Sequence, residues 1–73
     1  DIIVANKLGA LGNLATTIGR CDANITNLKI KKRSDDFFEL LIDIEVKDLV
    51  HLMNTIASLK ALPIVSVVER VKN

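Results

Sequence analysis

Two segments of alternating hydrophobic and polar residues constrain the fold of this chain most strongly. In residues 25–33, Leu28 and Ile30 fall on one face of an extended strand, and the opposite face is basic. Residues 37–46 alternate in the same way, and the turn residues Ser34-Asp35-Asp36 separate the two segments. The pattern predicts an antiparallel β-hairpin that buries one face and exposes the other.

The register of this hairpin follows from matching its two apolar faces. A three-residue turn brings the apolar faces together, whereas a slip by one residue would bury the lysines. The predicted opposite pairs are Leu28 with Ile42, Ile30 with Leu40, Lys31 with Glu39, and Arg33 with Phe37.

The rest of the chain supplies two helices and two further strands. Residues 1–6 and 64–71 are short apolar runs and are predicted as the first and last strands. Apolar residues recur at helical spacing in two other segments. The predicted stripes are Leu11, Leu14, Ala15 and Ile18 in the first helix, and Leu49, Leu52, Met53 and Ile56 in the second. Asp48 is the predicted N-cap of the second helix, and Pro63 ends it.

The order βαββαβ predicts an α+β, ferredoxin-like fold. Right-handed crossovers give a four-stranded antiparallel sheet with both helices on one face. The first and third strands are then central, and the second and fourth are edges. Residues 1–73 form a single domain, which we expect to be part of a larger protein because the chain begins at Asp1.

Composition argues against several classes of function. A net charge of +1 is too small for strong non-specific nucleic-acid binding. No apolar run approaches the roughly 20 residues of a membrane helix, and there is no secretory signal. The single cysteine, Cys21, fits a reducing cytoplasm and a place in or near the core. His51 has no spaced metal ligands, so we expect no metal, no cofactor and no catalytic constellation.

The turn between the first strand and the first helix is a candidate ligand site. Gly9 permits a positive φ and close approach of a ligand, and the first amides of a helix lack intrahelical partners. We expect Asn6, Gly9 and Asn24 to lie near one another and to hold the carboxylate and ammonium of a free amino acid. The same residues also suit an ordinary turn, and both interpretations remain open.

These residues resemble those of ACT domains, which are small regulatory modules that often bind amino acids. The shared pattern is Asn-x-x-Gly-x-Leu at 6–11, a helix, and Asn24-Ile25 at the start of the second strand. The whole chain is similar to the C-terminal ACT domain of RelA/SpoT-type enzymes, in particular the alphaproteobacterial type. The similar segments are 24–37, 41–46, 48–49, 51–52, 56–57 and 65–71.

The resemblance implies a regulatory domain of a cytoplasmic (p)ppGpp synthetase/hydrolase that controls the stringent response. Such a parent enzyme transfers pyrophosphate from ATP to GTP or GDP and hydrolyses the product, with both active sites outside this segment. Some of these domains resemble sensors of branched-chain amino acids. Others help the enzyme to engage the ribosome and uncharged tRNA.

The resemblance also implies a set of site residues. In serine-binding ACT domains, asparagines at the positions of Asn6 and Asn24 hold the ligand across a homodimer interface. The predicted ligand-binding residues are Asn6, Lys7, Leu8, Gly9, Ala10, Leu11, Asn24 and Ile25. The ligand side chain is expected on Leu11, Leu14 or Ile25. Val4 replaces the histidine of serine binders, which favours valine, isoleucine or leucine as the ligand, and Leu8 stands where many ACT loops have proline.

An alternative function is docking without a small ligand. Lys29, Lys31 and Arg33 form a basic run on an edge strand, a pattern that suits contact with the ribosome, tRNA or sister domains. Edge strands also carry lysines simply to prevent aggregation, and Glu39 is a predicted partner of Lys31. The sequence does not decide between a sensor and a docking module.

Overall fold

The predicted order of strands and helices is confirmed in a computed structural model, which describes residues 1–71. The elements are β1 (Ile2–Ala5), α1 (Ala10–Arg20), β2 (Asn24–Arg33), β3 (Phe37–Glu45), α2 (Leu49–Lys60) and β4 (Val65–Val68). The strands form one antiparallel sheet in the order β2-β3-β1-β4. β1 and β3 are therefore central, as predicted for a ferredoxin-like fold.

The β2–β3 hairpin has the predicted register only in its central part. Leu28 lies opposite Ile42 and Ile30 opposite Leu40. An irregularity follows Ile30, so that Lys32 lies opposite Glu39 and Arg33 opposite Phe38. The predicted pairs Lys31–Glu39 and Arg33–Phe37 are therefore wrong, because a β-bulge adds one residue to β2.

The core lies between the sheet and the two helices. Val4 and Leu40 on the central strands are completely buried. The remaining buried apolar residues are Ile2, Ala10, Leu14, Ile18, Ala23 and Leu59. Since these come from β1, α1, β3, α2 and the turn after α1, a single small core holds the domain together.

The predicted helical stripes are only partly confirmed. In α1, Leu14 and Ile18 are buried, but Leu11 is 39% exposed. In α2, Leu49 and Met53 are more than half exposed, and the buried residues are Thr55 and Leu59. The apolar residues of α2 cover a broad side of the helix, and the side that faces the core includes Thr55 beside them, so the apolar spacing alone could not identify which residues are buried.

A Schellman motif ends α1. The N–H of Asp22 donates to the carbonyl of Gly19, and the N–H of Ala23 donates to that of Ile18. Asp22 has a φ of 60°, the left-handed conformation that this motif requires. Ala23 and Ile18 are both buried, which supplies the hydrophobic contact of the motif. The motif turns the chain from α1 directly into β2.

His51 connects α2 to the end of α1. Asp48 caps α2 as predicted, since its Oδ1 accepts from the His51 N–H at 2.8 Å. The His51 ring accepts from the Lys47 N–H at Nδ1, 2.9 Å away, and its Nε2 lies 2.5 Å from the Cys21 carbonyl. Both ring nitrogens are thus used in helix packing, beside a half-buried Cys21.

Candidate functional site

The chain from Asn6 to Gly12 forms a shallow cup of about 350 Å³ at the end of β1. The cup combines the loop before α1, the first turn of that helix and the side of Phe38 on β3. Six of the eight predicted ligand residues, Asn6 to Leu11, lie together here. The predicted loop residues therefore line a single concave surface.

Gly9 gives the cup its backbone geometry. It is the N-cap of α1 and has a φ of 80°, a conformation that non-glycine residues adopt only at a cost. The Ala10 N–H donates to the Lys7 carbonyl at 3.1 Å. The Asn13 N–H donates to the Gly9 carbonyl, which is the first i to i−4 hydrogen bond of the helix. Within residues 1–71, no backbone acceptor takes the N–H groups of Leu11 and Gly12. These two donors are free to meet an anion, whereas the Ala10 donor is not.

The side chain of Asn6 is held in place by the β2–β3 turn. Its Nδ2 donates to the Ser34 carbonyl at 2.8 Å, and its backbone N–H donates to the Asp36 carbonyl at 2.9 Å. An amide fixed through its nitrogen still has a carbonyl oxygen that can accept hydrogen bonds. Asn6 can therefore offer an acceptor to a ligand ammonium at the edge of the cup.

Asn24 and Ile25 lie far from the cup, so the expectation that Asn6, Gly9 and Asn24 are close is wrong within one chain. Asn24 is paired with Glu45 at the start of β2, while Asn6 contacts Ser34 beyond the other end of that strand. In a β-α-β unit the two strands run in parallel. The end of β1 and the start of β2 therefore lie at opposite ends of the sheet along the strand direction.

The structure also corrects the residues expected to contact the ligand side chain. Val4 is completely buried beneath the helices and pairs with Phe38, so it cannot select a ligand in the cup. Leu14 is likewise part of the core. Leu11 does line the cup, and Leu8 is fully exposed at the tip of the loop.

Phe38 is a cup residue that the predicted site did not include. It joins the core on one side and the cup on the other. The guanidinium of Arg33 lies 6.0 Å from the centre of its ring, at the limit of a cation–π contact. The β-bulge places Arg33 beside Phe38. An alternation pattern contains no signal for a bulge, so this neighbourhood could not be found from the sequence.

Comparison with known proteins identifies the family of the chain. The sequence profile of the ACT domain matches residues 1–70. The chain belongs to the ACT domain family. This ACT domain is also 42% identical over 71 residues to the GTP pyrophosphokinases rsh of Brucella abortus (strain 2308), Brucella ovis and Brucella suis biovar 1. The match covers 97% of the chain and 10% of each relative, so the domain spans about a tenth of their length. The resemblance to RelA/SpoT-type proteins of alphaproteobacteria is confirmed.

The basic run of this ACT domain is partly neutralised by its own carboxylates. The Lys31 ammonium lies 3.4 Å from a Glu39 carboxylate oxygen and 3.7 Å from one of Asp1. Lys31 thus reaches Glu39 as predicted, although the two are not opposite each other in the ladder. Contrary to the prediction, Arg33 does not share a face with Lys29 and Lys31, because it lies over the ring of Phe38. The predicted docking surface of Lys29, Lys31 and Arg33 is therefore divided between two faces.

The described part of the domain, residues 1–71, contains no group of three or more His, Cys, Asp or Glu residues that could hold a metal ion. Within the same residues, no helix is long and apolar enough to cross a membrane.

Proposed function

We propose that this ACT domain is the amino-acid-sensing regulatory segment of a cytoplasmic GTP pyrophosphokinase of the RelA/SpoT type. The parent enzyme would make and hydrolyse (p)ppGpp at active sites outside this domain. The observation that carries the proposal is the cup at the start of α1, where a glycine with a φ of 80° leaves two helix amides free. Membership of the ACT family and the identity with the Brucella enzymes support it.

The cup suits a free amino acid with an apolar side chain. The ligand carboxylate would accept hydrogen bonds from the N–H groups of Leu11 and Gly12, where the helix dipole also favours negative charge. The ligand ammonium would donate to the Oδ1 of Asn6. Its side chain would lie on Leu11 and Phe38, which line the cup. Valine, isoleucine and leucine therefore remain the proposed ligands, on the basis of these two residues rather than Val4.

A second copy of the chain would bring Asn24 to the cup. β2 is an edge strand whose apolar residues Leu28 and Ile30 are 40% and 44% exposed. If two β2 strands pair in antiparallel fashion about Leu28, the start of one strand lies beside the end of the other. Asn24 of one copy then lies near Lys32 and Arg33 of its partner, at the end of the partner's sheet where the partner's Asn6 also lies.

This pairing about Leu28 also avoids charge repulsion. It sets Lys29 against Asn27 of the partner and Lys31 against Ile25 of the partner, so no two lysines are opposite. A two-fold axis at Ile30 would instead set Lys29 against Lys31, which is unfavourable. In the proposed homodimer each ligand joins two chains. Ligand binding would therefore favour one arrangement of the domains in the parent enzyme. By linkage, this preference would change the equilibrium between states of the catalytic domains.

An amide NMR titration with valine, isoleucine, leucine and serine tests this function. We expect the branched-chain amino acids at millimolar concentration to shift the Leu11 and Gly12 amides, the Asn6 side-chain amide and Asn24. Serine should shift them less, since Leu11 and Phe38 offer its hydroxyl no hydrogen-bonding partner. A flat response to all four amino acids would contradict the proposal.

The alternative is a docking module for the ribosome, tRNA or sister domains, and it predicts a different pattern. Its basic surface would consist of Lys29 and Lys32, because Lys31 is engaged by Glu39 and Asp1. Exchanging Lys29 and Lys32 for glutamine would then abolish partner binding and leave the amino-acid titration unchanged. The free amides of the cup favour the sensor, and nothing comparable marks the basic surface.

A further inference from the structure

The carboxyl end of the edge strand β2 carries an arginine without an ionic partner in its own chain. Within residues 1–71, the ion pairs are those of Lys31 with Asp1 and Glu39. Arg33 is the last residue of β2 and is exposed. Its guanidinium lies 6.0 Å from the centre of the Phe38 ring, and a neutral ring leaves its charge in place. Arg33 can therefore bind a carboxylate of another molecule.

The β-bulge after Ile30 decides which side of the sheet Arg33 faces. Arg33 lies opposite Phe38, and Phe38 packs against the core, so both side chains point to the side that carries the helices. Lys32, by contrast, lies opposite Glu39 and points to the open side of the sheet. The bulge thus separates Arg33 from the lysines and places it beside the cup, whose wall includes Phe38.

An exposed carboxylate lies just before the other end of the same strand. Asp22 is in the turn between α1 and β2, and its φ of 60° belongs to the motif that ends α1, so the backbone holds it on the helix side. Among the described residues, Asp22 forms no ion pair. The ten residues of β2, roughly 30 Å of extended chain, separate Asp22 from Arg33, so the two charges cannot meet within one chain.

Antiparallel pairing of two β2 strands brings these two charges together. With the two-fold axis at Leu28, Arg33 of one copy lies beside the turn that holds Asp22 of the other. The axis relates the two ends of the paired strands, so each dimer contains two such contacts. An axis at Ile30 would place Arg33 opposite Asn27 and leave both charges unpaired.

We propose that an ion pair between Arg33 of one copy and Asp22 of the other makes a second copy of this chain the preferred partner of β2. The inference rests on the homodimer of the proposed function and identifies the contact that sets its register and direction. Parallel pairing of two β2 strands would set Arg33 against Arg33 and Asp22 against Asp22, whereas antiparallel pairing about Leu28 sets opposite charges together at both ends. An ACT domain without either charge would be a poorer partner.

The ion pair also links dimerisation to the ligand site. Arg33 lies over Phe38, and Phe38 lines the cup. When Asp22 of the partner copy binds the guanidinium, Arg33 loses conformational freedom and holds the Phe38 ring against the core. The cup of the dimer is then more ordered than that of the single chain, so a ligand has less entropy to remove. Leucine binding and dimerisation should therefore strengthen each other.

Charge reversal tests the ion pair without any amino acid. Arg33→Glu and Asp22→Lys should each weaken the homodimer by roughly a hundredfold, because like charges then meet at both ends. An equimolar mixture of the two variants should recover the original dimerisation constant, since every mixed dimer has opposite charges at both ends. Sedimentation equilibrium of each chain and of the mixture measures these constants.

Two control variants separate charge from folding. Asp22→Asn keeps a residue that tolerates the left-handed conformation, so it should fold normally and weaken the dimer by only about fivefold, through loss of the attraction. Lys60→Glu is a matched charge reversal at an exposed position on α2, which packs against β4, the edge strand opposite β2. It should leave the dimerisation constant unchanged.

Salt gives an independent readout, because it screens attraction and repulsion alike. Raising the ionic strength from about 0.05 M to about 0.5 M should weaken the dimer of the original chain. The same change should strengthen the dimers of Arg33→Glu and Asp22→Lys. A contact that served only packing would show neither trend.

The outcomes distinguish this inference from the proposed function. If Arg33→Glu dimerises as well as the original chain, or the mixture dimerises no better than its components, the ion pair is overturned and the shared ligand site stands. If the original chain stays monomeric with and without leucine, the homodimer fails and the ion pair fails with it. If the ion pair forms, leucine should bind the mixture as tightly as the original chain and each variant alone about tenfold more weakly.

Discussion

Replacing Leu40 with alanine should lower the free energy of unfolding by about 3 kcal/mol. Leu40 is completely buried on a central strand, between Ile2 on β1 and Ile30 on β2. The substitution removes apolar contacts and leaves a cavity that the surrounding sheet and helices cannot close. A domain of this size has a total stability of only about 4–10 kcal/mol, so the loss is large. Urea denaturation followed by circular dichroism measures it.

The matched control for this substitution is Leu49→Ala on α2. Leu49 is 60% exposed, and alanine is a good helix former, so the free energy of unfolding should change by less than about 1 kcal/mol. Equal losses for the two variants would mean that the core does not lie between β3 and the helices.

Replacing Gly9 with alanine should reduce both stability and ligand binding. A side chain at a φ of 80° costs about 1–2 kcal/mol, although a Cβ there would meet no atom within 4 Å. The effect is therefore one of backbone strain and not of steric contact. If the loop relaxes to escape the strain, the conformation that frees the Leu11 and Gly12 amides becomes rarer. Leucine affinity should then fall by about tenfold, as measured by the NMR titration.

Gly19→Ala is the control for Gly9→Ala. Gly19 lies within α1 and is remote from the cup, and a Cβ added to it would also meet no atom within 4 Å. Alanine should stabilise the helix by about 0.5–1 kcal/mol and leave leucine affinity unchanged. If both glycine variants were stabilised and bound leucine normally, the left-handed conformation of Gly9 would have no role in the site.

The fold could be predicted from local patterns because each pattern has a single physical solution. Alternation around Ser34-Asp35-Asp36 favours the hairpin register that buries the apolar face and leaves the lysines exposed, which the centre of the hairpin adopts. Asp48 is a residue type that favours the N-cap position. The buried side of α2 was harder to predict, since its apolar residues cover a broad side of the helix and the core side includes the polar Thr55. The bulge after Ile30 could not be predicted, because it depends on tertiary packing and not on residue type.

Only the part of the candidate site whose residues are consecutive in the sequence could be predicted. Asn6 to Leu11 are consecutive, so the loop that contains Gly9 keeps them together. Asn24 is separated from this loop by the length of β2. The prediction that Asn24 lies near the loop was wrong because β1 and β2 run in the same direction. The resemblance places Val4 in the site, yet its position on a central strand puts it in the core. Phe38 could have been found only from the β1–β3 register.

The most direct test of the account is complementation between two defective chains. Asn6→Ala and Asn24→Ala should each abolish leucine binding, because every site in either homodimer lacks one asparagine. After the two variants are unfolded together and refolded, half the dimers are mixed, and each contains one intact site. We predict that the mixture recovers about a quarter of the original binding capacity by isothermal titration calorimetry with leucine. No recovery, or normal binding by Asn24→Ala alone, would contradict a site shared between two copies of this ACT domain.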